Sequence, residues 1–192
     1  PSARWLDTGA APRIDAMHST SAAAHIARPN LRFLMFHPAH CIALGFGSGL
    51  SRIAPGTVGT LWGWASYALL LQHRDPLRIG IIIALSTLGG WWACTVTAQH
   101  MRVSDPGAIV WDEIVAFWLV LWLAMPMGFG GQLIAFGLFR FFDAVKPGPV
   151  AWADRSFKGF GWRGGWGILF DDFVAAFCTL LVIAVWRFFW SM

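Results

Sequence analysis

The feature that most constrains this chain is a series of long apolar stretches without a charged residue. Residues 79–98, IGIIIALSTLGGWWACTVTA, are the clearest example, since a membrane-spanning helix needs about 20 mostly apolar residues. Hydrophobic residues make up 57% of the 192 residues and charged residues only 12%, about half the charged fraction of a typical soluble domain. The composition therefore predicts that lipid, and not water, surrounds most of the surface.

The apolar stretches predict an all-α fold, a polytopic membrane bundle with about five membrane-embedded helices, some of them half-spans or interfacial. The stretches other than 79–98 cover 57–71 (beginning nearer Pro55), 114–139, and 173–186 with an extension to 190. The 114–139 stretch contains Pro126 and three glycines. It is long enough for a helical hairpin only if 109–113 and 140–145 extend its arms.

Basic residues predict the orientation of these helices. With a cytoplasmic N-terminus, eleven Lys and Arg residues lie at the inner face and three at the outer face, as the positive-inside rule expects. Residues 1–35, rich in Ala, Pro, Ser and Arg, are expected to be a disordered cytoplasmic extension. A single membrane domain is expected over 36–192.

Ionisable side chains adjoin the inner ends of the predicted helices. The pairs Asp112–Glu113 and Asp171–Asp172 are each predicted to begin an apolar helix, and Arg140, Asp143 and Lys146 recur along one helix end. Charges at the edge of the hydrocarbon are costly, which makes them functional candidates. Two simpler explanations stay open: acids in a first helical turn favour the helix dipole, and the 140–146 charges can form a solvated ion-pair ladder.

Acids gathered at one membrane face would repel one another unless cations bind. The predicted set is Asp112, Glu113, Asp143, Asp154, Asp171 and Asp172. An all-oxygen set suits Mg²⁺, which carboxylates bind together with water and substrate phosphate, whereas zinc would normally recruit His or Cys.

Basic residues of the same face are expected to bind phosphate oxygens. These are Arg140, Lys146 and Arg155. The guanidinium group of an arginine can bind two phosphate oxygens at once. Thr57 is a further candidate, near a helix start within the glycine-rich residues 45–59; a simple glycine-rich bend explains that segment equally well. A second glycine-rich stretch, 159–167, is predicted to be an interfacial loop.

The chain resembles the phosphatidylglycerophosphatase A family over roughly residues 37–186. The motifs that carry the resemblance are, in order, GFGSGLSRIAPGTVGTL, AIVWDE, FRFFDAVKPGP, the following DR, and GILFDDFVAAF. The resemblance implies magnesium-dependent hydrolysis of phosphatidylglycerophosphate to phosphatidylglycerol and phosphate, at the cytoplasmic face of a bacterial inner membrane. It assigns metal binding or water activation to Asp112, Glu113, Asp143, Asp171 and Asp172, phosphate binding to Arg140, Lys146 and Arg155, and either role to Asp154.

The expected reaction is attack by water, since the sequence has no phosphorylatable aspartate motif and no serine-nucleophile elbow. Two other classes of function stay open. One is a small transporter that relays ions through its carboxylates, which the clustering of acids at one face disfavours; the other is a non-catalytic membrane scaffold. The expected partners are the lipid substrate and the bilayer, with no nucleic acid, and the oligomeric state is not predicted.

Overall fold

The computed structural model describes residues 28–190, and every regular element within them is helical. The elements are α1 (Leu31–Phe36), α2 (Pro38–Ala43), a 3-10 segment (Gly45–Leu50), α3 (Pro55–Ser66) continued by a π-helical turn (Tyr67–Leu71), α4 (Pro76–Met101), α5 (Trp111–Ala124), α6 (Phe129–Val145), α7 (Pro149–Ser156) and α8 (Gly161–Trp190). The all-α prediction is confirmed for this part of the chain.

The predicted apolar segments all form helices, but they differ in length. Within the described residues, α4 and residues 161–189 of α8 are long and apolar enough to cross a membrane. The predicted hairpin is present as α5 and α6, which contain 14 and 17 residues. At about 1.5 Å per residue, neither reaches across a hydrocarbon core of about 30 Å. Five membrane-embedded helices therefore stay a prediction.

Helix α8 begins ten residues before Asp171, so the prediction that Asp171–Asp172 begin a helix is wrong. The predicted loop over 159–167 is wrong for the same reason. The glycines there serve close packing, because a Cβ on Gly165 would collide with the Thr95 side chain of α4. A Cβ on Gly167 would likewise collide with the Phe157 carbonyl oxygen. Glycine thus lets the first turns of α8 lie directly against their neighbours.

Helix α5 is the centre of the bundle. Its Ile114, Phe117 and Leu121 are fully buried, and α5 packs against α3, α4, α6 and α8. The outer surfaces are also apolar, with Leu85 of α4 63% exposed and Phe177 of α8 67% exposed. An apolar exterior of this kind marks a surface that another apolar phase covers.

The order of the long helices brings their charged ends together. The starts of α3 and α5 lie at the same end of the bundle as the end of α6 and the first third of α8, because Glu113, Arg140 and Asp143 contact one another there. At the opposite end, Arg187 of α8 donates hydrogen bonds to the carbonyl oxygens of Ala124 and Pro126. The candidate acids therefore gather at one end of the bundle, which we call the charged end.

The predicted N-terminal extension falls mostly outside the described residues, which begin at residue 28. Residues 31–36 form α1, and the Asn30 side chain accepts a hydrogen bond from the Phe33 N–H at 3.0 Å. Regular structure therefore starts a few residues before residue 36. The division at 35/36 stays a prediction.

Candidate active site

Three carboxylates from three helices meet at the charged end. Glu113 of α5, Asp143 of α6 and Asp172 of α8 each place one carboxylate oxygen within 4.8 Å of the others. We call these three residues the acid cluster. Asp172 is only 3% exposed, and burying like charges this closely is costly without a compensating cation. The cluster is therefore a candidate metal site.

Arg140 adjoins the acid cluster and supplies part of that compensation. Its Nη1 donates to Asp143 and lies 3.4 Å from both Glu113 Oε1 and Thr60 Oγ1. Thr60 is fully buried, and its hydroxyl donates to the Gly56 carbonyl oxygen at 2.9 Å. The start of α3 thus fixes the position of Arg140.

Gly56, in the first turn of α3, lies directly against the acid cluster. A Cβ at this position would collide with Glu113 Oε1 and would lie 3.1 Å from each terminal nitrogen of Arg140. The glycine is therefore needed for the close approach of α3 to both side chains.

Lys146 joins two further predicted acids. It caps α6 in the left-handed conformation (φ 49°). Its Nζ donates to Asp154 Oδ1 and to Asp171 Oδ2, each at 2.5 Å. Lys146, predicted to bind phosphate, therefore pairs with carboxylates in this structure.

A second lysine extends these ion pairs toward the surface. Lys158 Nζ lies 3.0 Å from Asp154 Oδ1 and 3.5 Å from Asp105 Oδ2. Burial alone would raise the pKa of Asp154, but the hydrogen bonds from Lys146 and Lys158 outweigh it and lower that pKa. Burial opposes the charged form of Lys146 too, yet its bonds to the two aspartates raise the pKa of Lys146 above its ordinary value. Asp154 and Lys146 are therefore charged at neutral pH.

Among residues 28–190, two buried carboxylate oxygens at this site have no hydrogen-bond partner. They are Asp112 Oδ1 and Glu113 Oε2. Buried polar atoms in folded proteins are almost always paired with protein, water or an ion. These oxygens therefore indicate that the site binds something besides its own side chains.

The structure thus brings most of the predicted site residues together, with two exceptions. Within residues 28–190, Thr57 and Arg155 form no hydrogen bond or ion pair with the acids, and Arg155 is exposed on α7. The other eight predicted residues lie at the charged end: Asp112, Glu113, Arg140, Asp143, Lys146, Asp154, Asp171 and Asp172.

Sequence reasoning missed three polar residues that contact this site. Thr60 lies one turn after Thr57 on the same helix, so helical spacing could have indicated it. Lys158 lies four residues after Asp154, a spacing that also predicts contact on a helix. Asp105 belongs to an Asp-Pro-Gly sequence, which indicates a turn as readily as a binding site.

The glycine-rich residues 45–59 divide into two functions. A Cβ on Gly49 would collide with the Ala108 carbonyl oxygen, and one on Gly45 would lie 2.8 Å from side-chain carbons of Val110 and Ile114. These two glycines allow close packing against the start of α5 and the segment before it. Gly56 alone of these three approaches the acid cluster.

An all-helical bundle with an apolar exterior and a carboxylate-rich end defines a class of membrane-associated proteins with a polar site at one end of their helices. A sequence profile of the phosphatidylglycerophosphatase A family matches residues 41–187. The chain belongs to this family.

Curated relatives support the assignment. A phosphatidylglycerophosphatase A from Haemophilus influenzae is 38% identical over 155 residues, covering 81% of this chain and 92% of the relative. One from Escherichia coli is 39% identical over 146 residues, covering 75% and 80%. A Bacteroides thetaiotaomicron relative, named as a candidate phosphatidylinositol-3-phosphatase, is 37% identical over 153 residues, covering 76% and 91%. No solved structure matches the chain.

Proposed function

We propose that this chain hydrolyses the terminal phosphomonoester of phosphatidylglycerophosphate and releases phosphatidylglycerol and phosphate. One observation carries the proposal: this chain, which belongs to a family named for this lipid, places three carboxylates within 4.8 Å of one another beside an arginine. Carboxylates together with guanidinium groups are the side chains that metal-assisted phosphoryl transfer requires.

The residues fit a magnesium site. The acid cluster offers only oxygen donors, and Glu113 Oε2 is buried without a partner. Mg²⁺ binds one or two carboxylates and completes its shell with water and substrate phosphate. When bound, Mg²⁺ would polarise the phosphate and make a bound water more acidic. Glu113, Asp143 and Asp172 are the proposed ligands.

The chain's own side chains would bind the phosphate and accept a proton. Arg140 would contact phosphate oxygens, and exposed Arg155 is available to do so from α7. Asp171 and Asp154 are held by Lys146, which leaves the unpartnered Asp112 Oδ1 as our candidate to accept the proton of the attacking water. The water oxygen bonds to phosphorus and the phosphorus–glycerol oxygen bond breaks. The glycerol oxygen would take up the proton that Asp112 had accepted from the water, which restores the carboxylate.

We place this site at the cytoplasmic face of a bacterial inner membrane, with the N-terminus inside. The placement is supported by the excess of basic residues at the segment ends around the site. It is also supported by the two long apolar helices and their exposed apolar surfaces. A substrate lipid in the inner leaflet would then present its headgroup at the level of the acids.

Phosphatidylinositol 3-phosphate is a second candidate substrate, because the Bacteroides relative is named for it. Both lipids carry a phosphomonoester on a polyol that a phosphodiester links to diacylglycerol. A direct comparison of the two lipids, as phosphate released per unit enzyme in the same mixed micelles, would rank them. Faster release from the inositol lipid would transfer the proposed activity to that substrate.

The decisive experiment measures phosphate release by the purified protein from phosphatidylglycerophosphate, with Mg²⁺ or with a chelator. Activity should require the metal, and Asp143→Asn or Asp172→Asn should lower kcat by about 100-fold or more, as loss of one catalytic group commonly does. Asp75→Asn is the matched control, since Asp75 caps α4 at the opposite end and asparagine also caps helices. Wild-type protein that releases no phosphate would refute the proposal.

A further inference from the structure

A cavity of about 360 Å³ lies beside the charged end. One wall is the segment from Gly49 to Pro55, and another is the 101–108 segment that joins α4 to α5. Neither the metal ligands nor the phosphate-binding residues proposed above line this cavity.

The cavity adjoins the acid-bearing end. Asp105 lines it and also lines the cleft that contains Asp154 and Asp171. On the α3 side, Pro55 lines the cavity and its neighbour Gly56 packs against Glu113. The cavity therefore lies next to the position that a substrate headgroup would occupy at the acids.

The charges of the cavity favour an anion. Arg28 and Arg52 line it, and within residues 28–190 neither forms an ion pair. The one acid in the lining, Asp105, has Lys158 Nζ at 3.5 Å from its carboxylate. Guanidinium groups bind phosphate oxygens in pairs, with geometry that an ammonium group does not provide.

The remaining lining suits the carbon skeleton next to such an anion. Leu50, Met101 and Val103 contribute apolar surface to the walls. In phosphatidylglycerophosphate the phosphodiester lies between the polyol and diacylglycerol. An anionic group with apolar neighbours of this kind fits the cavity. A free phosphate ion would leave these walls without a partner.

We infer that this cavity binds the phosphodiester of the substrate lipid while the acid cluster acts on its phosphomonoester, and that Arg52, with Arg28, selects lipids that carry both groups. The inference rests on the proposed phosphatase function and defines its substrate class. The two relatives are named for lipids that each carry a phosphodiester and a phosphomonoester on one polyol, so one cavity accommodates either lipid.

The test compares Arg52→Gln with wild type on phosphatidylglycerophosphate in mixed micelles. We expect KM to rise about tenfold, the size of one lost hydrogen bond to a charged group, while kcat stays within about twofold. Arg52→Lys should give an intermediate KM, since it keeps the charge and loses the paired geometry. Arg32→Gln is the control, because Arg32 is exposed on α1 and does not line the cavity.

Two inhibitors separate the two phosphate positions. Phosphatidylglycerol carries only the phosphodiester, and its inhibition should weaken about tenfold in Arg52→Gln. Inorganic phosphate should inhibit both proteins equally, because it binds at the acid cluster. Weaker inhibition by inorganic phosphate, an unchanged KM, or the same changes in Arg32→Gln would each overturn the inference. An inactive wild-type protein would instead refute the proposed function, and this inference with it.

Discussion

Replacing Gly56 with alanine tests whether the start of α3 positions the reacting groups. The new Cβ would collide with Glu113 Oε1 and crowd both terminal nitrogens of Arg140. The new Cβ would lie 2.1 Å from that oxygen. Atoms in contact prefer separations of about 3.5 Å, so the Glu113 oxygen has to move by about 1.4 Å. Misplacement on that scale can cost about 100-fold in rate, and we expect a loss of kcat of that order.

The same substitution should leave the fold intact. Gly56 does not have a positive φ, and alanine is favoured over glycine in helices by up to about 1 kcal/mol. The atoms that the Cβ meets are ends of side chains, which can move without displacing a helix. Thermal unfolding of the purified variant should therefore stay close to that of wild type while phosphate release falls.

Two controls make the result interpretable. Gly137→Ala adds a methyl group to α6 where nothing lies within 4 Å, so it should keep full activity. Shortening Glu113 to aspartate gives the new methyl group room, so Gly56→Ala should cost less activity in the Glu113→Asp background than in wild type. A folded Gly56→Ala protein with wild-type kcat would refute the role of this contact.

Two further predictions concern stability. Mg²⁺ should raise Tm by about 5–10 °C at 100 times its Kd. Asp143→Asn and Asp172→Asn should lose this shift, whereas Asp112→Asn should keep it. A wild-type Tm that does not change with Mg²⁺ would contradict the metal site. Burial, together with the nearby His100 and His37, lowers the pKa of His40 below its ordinary value of 6.5. As the pH falls, His40 is therefore protonated more readily in the unfolded chain than in the folded one. The contribution of His40 to the free energy of unfolding should therefore be present above pH 6.5 and be lost at lower pH. In unfolding scans from pH 5 to 8, the difference between wild type and His40→Gln should change with pH in this direction, whereas His73→Gln should differ from wild type by the same amount throughout.

Hydrophobic patterning predicted where the long helices lie because burial and lipid contact both act on apolar side chains. The hairpin of α5 and α6 and the start of α3 at Pro55 follow from this patterning. The start of α8 does not, because glycine is a poor helix former in isolation. A glycine is needed at position 165 because Thr95 of α4 packs directly against it, and Thr95 lies 70 positions earlier in the chain.

The set of site residues was largely predictable, whereas their pairings were not. Charged residues beside apolar helices are rare enough to indicate the acids and Arg140 from the sequence. Which cation meets which acid depends on how α6, α7 and α8 pack in the folded chain, where Lys146 lies against Asp154 and Asp171. The cavity beside Arg52 likewise depends on two segments that meet only in the folded chain.

In the orientation proposed above, the early start of α8 would set the depth at which a lipid reacts. Ten residues separate Gly161 from Asp171, which is about 15 Å of helix. If the acids lie level with the lipid phosphates, these first turns stand above them as a wall, with Trp162 on its exposed side. A lipid headgroup can then meet the acids from the bilayer without leaving its leaflet, while the bulk solution faces the wall.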